Sequence, residues 1–259
     1  MDCYDGCRCS NDKKQSSILY NILKNDKPAQ LHRHQGTIQR GCACGSMKKV
    51  ALRFPQVTCK TASAVLVKTL KFMKNLPCFQ ELPVHDQLAL VRSCWAPLLL
   101  LGLAQDRVDF ETTETPKPSM LQRILTSGQD KPGDTHRQND EQLSTTEIQG
   151  IKAFLEKCWA LDISTKEYAY LKGAVLFNPD VPGLRRLHYI HCLQSEAQQA
   201  LNEYVKIIHR EDHTRSAKVM TALSMLRLIN GNVIAELFFR PIIGEVNMDD
   251  LLLEVFYAK

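Results

Sequence analysis

Ten cysteines and eight histidines are the residues of this chain best suited to metal or nucleophilic chemistry. Five cysteines gather near the start, Cys3, Cys7, Cys9, Cys42 and Cys44, in C-x3-C-x-C and C-x-C spacings. A structural zinc site is usually built from two couples of the C-x(2–4)-C kind. Cys3 and Cys7 with Cys42 and Cys44 meet the donor count, with His32 and His34 as substitutes. Free thiols in a tail explain the same residues, and that is the reading adopted, with no metal. His188 and His191 stand at i, i+3 beside Cys192, a ligand spacing that two surface histidines also produce. Asp249 and Asp250 are paired carboxylates, but at a helix start they simply complement the N-terminal dipole. Cys94 or Cys158 as a nucleophile would need a base in sequence context, and none is placed there. The chain has no G-x-S-x-G, P-loop, G-x-G-x-x-G or H-E-x-x-H motif. The expectation is a protein that is not an enzyme and uses no cofactor.

The elements around these residues read as helices. The 259 residues are 44% hydrophobic and 24% charged, enough for a real core and too apolar for wholesale disorder. Residues 1–60 carry a net +7 and the rest −2 within an overall +5, so the basic excess is a tail on a near-neutral body. Contact of that tail with nucleic acid stays open, because no aromatics are interleaved with its charges. The longest apolar run, 94–104, contains Pro97 and Gly102 and is short for a membrane span. The start of the chain lacks a basic stretch followed by an apolar one. A reducing compartment is therefore expected, and disulfides are not. The later cysteines (Cys59, Cys78, Cys94, Cys158, Cys192) read as small buried hydrophobes.

Boundaries of 1–49 for the tail and 50–259 for the body follow from where periodicity begins. Ala62, Val65, Leu66, Leu70, Met73 and Leu76 keep helical spacing until Pro77. A helix from Pro83 to about Gln105 is apolar almost all round in its second half, as a central core helix is. Residues 107–111 alternate as a short strand, and 120–126 as a short helix. Ser144-x-x-Glu147 and Ser164-x-x-Glu167 are capping boxes that open two more helices. Long helices are expected over about 184–209 and 215–239, then a connection over 241–246 and a last helix over 248–256. The fold class is all-α with a minimal strand element.

Two short islands have leucine-type residues at i, i+3, i+4. Leu19, Ile22 and Leu23 lie in the polar tail, and Leu121, Ile124 and Leu125 lie in the body. Such a face binds by lying in an apolar groove. The second island could equally be core. Phe79 and Leu82, within Pro77-Cys78-Phe79-Gln80-Glu81-Leu82, share a face and form a third candidate contact, or a buried turn between helices. Arg240 closes an aromatic-rich helix before Pro241, where it would cap carbonyls or pair with a carboxylate.

Phe79-Gln80-Glu81-Leu82-Pro83, Asp86-Gln87-Leu88-Ala89-Leu90-Val91 and Trp95 resemble the signature of nuclear-receptor ligand-binding domains. Asp249-Asp250-Leu251-Leu252-Leu253-Glu254 resembles their final activation helix. Leu52-Arg53-Phe54-Pro55-Gln56-Val57, Phe177-Asn178-Pro179-Asp180-Val181-Pro182-Gly183-Leu184 and Glu236-Leu237-Phe238-Phe239-Arg240-Pro241 narrow the likeness to the subfamily without a DNA-binding domain. Five early cysteines in the wrong spacing do not make the two zinc modules of such a domain.

The resemblance implies a helical-sandwich fold and a transcriptional corepressor acting in the nucleus and also the cytoplasm. Its partners would be other nuclear receptors (steroidogenic-factor, liver-receptor-homolog and steroid types), corepressor proteins and a second copy of the chain, with no membrane. It implies structural roles for Asp86, Gln87, Trp95 and Arg240. By motif matching it makes Lys74 and Glu254 a charge clamp on this chain's own groove, with Arg92 as a second basic rim group and Leu251 and Leu252 lining it. The alternative is the same domain regulated by a small lipophile.

Overall fold

The computed structural model describes residues 48–116, 143–244 and 247–258. Within them the chain is helical apart from one two-stranded sheet, as an all-α reading requires. Strand β1, Lys48–Leu52, pairs antiparallel with β2, Thr112–Pro116, in the register Val50 to Glu114 and Leu52 to Thr112. β1 thus starts two residues ahead of the boundary expected at 50. The one strand expected, at 107–111, lies five residues later, and β1 was not expected. Arg107 has φ +51 and closes the preceding helix instead. Its amide donates to Ala104 O at 3.2 Å, and the Val108 amide donates to Leu103 O at 2.9 Å. These two bonds satisfy end carbonyls in a Schellman-type cap.

Helix α1, Pro55–Asn75, starts with Pro at its first turn, where no amide partner is lost. Its inner face carries Cys59, Ala62, Leu66, Leu70 and Met73. Pro77 stops it by forcing Leu76 to an extended ψ of 120°. A single turn, α2 (Pro77–Gln80), leads to α3, Val84–Gln105. α3 is long and apolar enough to cross a bilayer by length and hydropathy alone, but 67% of its most apolar window is buried by the rest of the fold. It is the central helix. α1 packs along one side of it, so closely that a Cβ built on Gly102 would sit 2.6 Å from Val65 Cγ1.

Helices α4 (Thr145–Ala160) and α5 (Thr165–Leu176) pack on other sides of α3. Both begin with the expected capping boxes. Ser164 N donates to Glu167 Oε2 at 2.8 Å while Glu167 N donates to Ser164 Oγ at 3.3 Å. α6 (Leu187–Ile208) lies on α5, and α7 (Arg215–Leu226) closes against α4 and α6. The helix expected over 215–239 is two. It breaks at 227–230 because the Asn230 side chain accepts from Asn232 N at 2.9 Å and starts a new helix, α8, Gly231–Phe238. The expected connection after it contains a further turn, α9 (Arg240–Ile243). The last helix, α10 (Met248–Tyr257), is capped by Asn247 and packs on α1 and α3.

Two buried carboxylates tie these helices together. Asp86, fully buried, accepts from Arg185 N at 2.9 Å and Arg186 N at 2.8 Å, with His85 Nδ1 at 3.2 Å. Burial alone would raise its pKa, but the two amides and His85 outweigh that and hold it below the usual carboxylate value. Glu167, also fully buried, takes Arg215 Nε at 3.0 Å and Nη2 at 2.9 Å. Arg215 also donates to the carbonyls of Leu161 and Asp162. The guanidinium and the Ser164 amide hold Glu167 low against its own desolvation.

Candidate functional site

The last helix and the surface beneath it bring most of the expected groove residues together. Leu251 and Leu252 are buried, and so is Phe256, whose ring meets Phe79 edge-on with centroids 6.2 Å apart. Leu252, Leu251 and Phe256 follow helical spacing, so one face of α10 enters the core while Asp249, Asp250 and Glu254 stay exposed. Lys74, exposed at the last turn of α1, donates from Nζ to Phe256 O at 3.1 Å and to Ala258 O at 3.4 Å. The same ammonium lies 6.0 Å from the centroid of the Phe256 ring. At the other end of α10, Arg92 Nε faces Asp249 Oδ2 at 3.8 Å.

The sequence expectation set Lys74 and Glu254 across a groove from one another; in the structure Lys74 holds the last carbonyls of α10, and Glu254 is exposed on that same helix. Asp249, read from the sequence only as a complement to the helix dipole, is also the partner of Arg92. Its place in the first turn was the one signal that pointed to it.

The turn over 77–82 faces both ways. Phe79 and Leu82 are in the core at 0% and 3% exposure, so the buried-turn alternative describes them here. Pro77 is exposed and Cys78 half-buried. Gln87 donates to Leu82 O at 2.9 Å and Gln80 O at 3.3 Å, which fixes the turn to α3. Tyr189 donates to Glu81 Oε2 at 2.9 Å and ties it to α6; no local pattern in the sequence pointed to that bond. Trp95 is buried against Phe239, edge-on at 6.1 Å. Arg240 pairs through Nε with Glu236 Oε1 at 2.8 Å, one turn back. The islands at Leu19, Ile22 and Leu23 and at Leu121, Ile124 and Leu125 lie outside the described residues, as do the helix expected over 120–126 and the early cysteines.

Burial pushes the Cys59 thiol up to about 11 and the Cys94 and Cys158 thiols up to about 12, so these groups stay protonated at neutral pH. Cys192 Sγ lies 3.7 Å from His188 Nδ1. Among the described residues no three His, Cys, Asp or Glu side chains are placed to hold a metal ion. Cys78 and Cys192 are half-buried rather than buried. A cleft of about 1040 Å³ opens beside Trp95 and Phe239, rimmed by Arg92, Asn178, Asp180, Arg227 and Glu236.

Residues 44–243 match the family model described as the ligand-binding domain of nuclear hormone receptor. The chain is 50% identical over 273 aligned positions to "Nuclear receptor subfamily 0 group B member 1" of Callithrix jacchus, and 48% identical over 273 to that of Homo sapiens. Each alignment covers 99% of this chain and 58% of the relative, so the chain spans somewhat over half the length of the curated relatives it matches. The fold is similar to that of the ultraspiracle ligand-binding domain from Drosophila melanogaster. That match has a TM-score of 0.56 at 20% identity and covers 79% of this chain and 81% of that one. A family match over most of its length, carried on the helical sandwich just described, places the chain in the nuclear receptor family through its ligand-binding domain.

Proposed function

We propose that this chain is a transcriptional corepressor that binds other nuclear receptors through leucine-type motifs and silences their transactivation. The observation that carries this reading is the isolated face of Leu19, Ile22 and Leu23 in a basic, otherwise unpatterned tail, on the same chain as a receptor body. A receptor groove takes a helix with apolar residues at i, i+3, i+4 and holds its two ends by charge. Partners of steroidogenic-factor, liver-receptor-homolog or steroid type would offer such a groove, in the nucleus and also in the cytoplasm. In this reading residues 1–49 are the tail and 50–259 the body.

Ile22→Ala with Leu23→Ala removes two anchors, each worth about 1.5–3 kcal/mol of burial. Binding of the full chain to a partner receptor's ligand-binding domain should weaken at least about tenfold in a titration. Unchanged affinity would contradict this reading and move attention to Leu121, Ile124 and Leu125. The rival, regulation by a lipophile, draws on the 1040 Å³ cleft, but charged and amide groups ring that cleft. A retained lipid in native mass spectrometry would favour the rival.

A further inference from the structure

We propose that the cleft beside Trp95 and Phe239 is a binding site for an uncharged, largely apolar small molecule that carries a carbonyl oxygen, with the Trp95 indole N–H as the donor to that oxygen. Trp95 lines the cleft and is only 6% exposed. An indole N–H buried to that degree usually has a partner. Trp159 follows the rule and donates from Nε1 to Ala104 O at 3.0 Å. Trp95 Nε1 donates to no group among the described residues. Nor is it sealed in. Among those residues His209 Nε2 is the one side-chain nitrogen or oxygen that is both cut off from the surface and unpartnered. The Trp95 nitrogen therefore reaches the cleft, with its proton available to an acceptor there. The same edge of the ring borders the start of α8, where Cζ2 lies 3.9 Å from the position a Cβ would take on Gly231.

The walls around that donor favour a neutral ligand. Three arginines and three carboxylates line the cleft. Arg92 faces Asp249 at 3.8 Å and Arg240 pairs with Glu236 at 2.8 Å, while Arg227 and Asp180 are one of each sign. Neither an anion nor a cation gains a net charge partner from that set. Val175, Leu223, Ile229 and Ile243, all half-buried, supply apolar surface. A volume of about 1040 Å³ accommodates a drug-sized molecule, and a few placed polar groups on apolar walls are how such sites orient what they hold. Residues of α3, α5, α6, α7 and α8 line it, and α1 and α4 contribute none. The site does not rest on the corepressor reading, which concerns the tail, and it gives the lipophile rival one defined contact.

The test titrates the full chain into propionyl-dimethylaminonaphthalene, an uncharged ketone whose emission reports the polarity around it. Dimethylaminonaphthalene, which lacks the carbonyl, is the comparison probe. The wild type should bind the ketone saturably. Trp95→Phe keeps an aromatic ring and removes the N–H, so it should weaken ketone binding about threefold to tenfold. The same change should leave the affinity for the carbonyl-free probe within about twofold. Leu223→Trp fills the cleft from α7 and should abolish binding of both probes. It also serves alone if circular dichroism shows Trp95→Phe to be unfolded. An absence of saturable binding by the wild type overturns the proposal. So does an equal loss for the two probes in folded Trp95→Phe, or ketone binding that survives in folded Leu223→Trp.

Discussion

Asp86 shows how one buried side chain can hold two distant segments. Its carboxylate accepts the amides of Arg185 and Arg186, about one hundred residues away, at the entrance to α6. Asparagine can accept from one amide but presents an NH2 group to the other. Asp86→Asn should cost about 1–3 kcal/mol in urea unfolding at pH 7. Asp86 and Glu167 both titrate below their ordinary values in the folded state. Their contribution is fully present above the unfolded carboxylate pKa of about 4 and is lost as pH falls through the folded values. The difference between wild type and Asp86→Asn should therefore shrink between pH 5 and pH 2. A gap that stays constant over that range would show that the charge is not what holds the junction. Arg240 is a weaker case. Its pair with Glu236 is half-exposed on the arginine side, so Arg240→Ala should cost no more than about 1 kcal/mol in a thermal melt.

At the scale of elements, what could be read from the sequence depended on how local the cause was. The caps of α4 and α5 were legible because Ser144 with Glu147, and Ser164 with Glu167, close their bonds within three residues. The apolar second half of α3 likewise announced a central helix. The break at 227–230 was not legible, because apolar periodicity runs on through it and only the Asn230 cap divides it. β2 was misplaced because its partner, β1, is sixty residues away and the Arg107 cap takes over the segment that alternates best. Lys74 was read from the sequence as a groove residue. What it binds was hidden, since its bond to Phe256 O spans 182 positions. The close approach of α1 and α3 gives an element-scale test. Gly102→Ala puts a methyl 2.6 Å from Val65 Cγ1 and should destabilise the domain by about 1–3 kcal/mol in urea unfolding. A neutral effect would mean that the two helices separate without cost.

For the molecule as a whole, the receptor body and the tail divide the work in the corepressor reading. The body supplies the helical sandwich on which the last helix packs, and the tail supplies the leucine-type face offered to another receptor. Silencing should then depend on Ile22 and Leu23 while the body's stability does not. The direct measurement is a reporter assay of a partner receptor's transactivation, at matched protein levels, comparing wild type with the Ile22→Ala, Leu23→Ala double variant. The account predicts that the variant loses most of its repression while its melting temperature is unchanged. Full repression by the folded variant would contradict it.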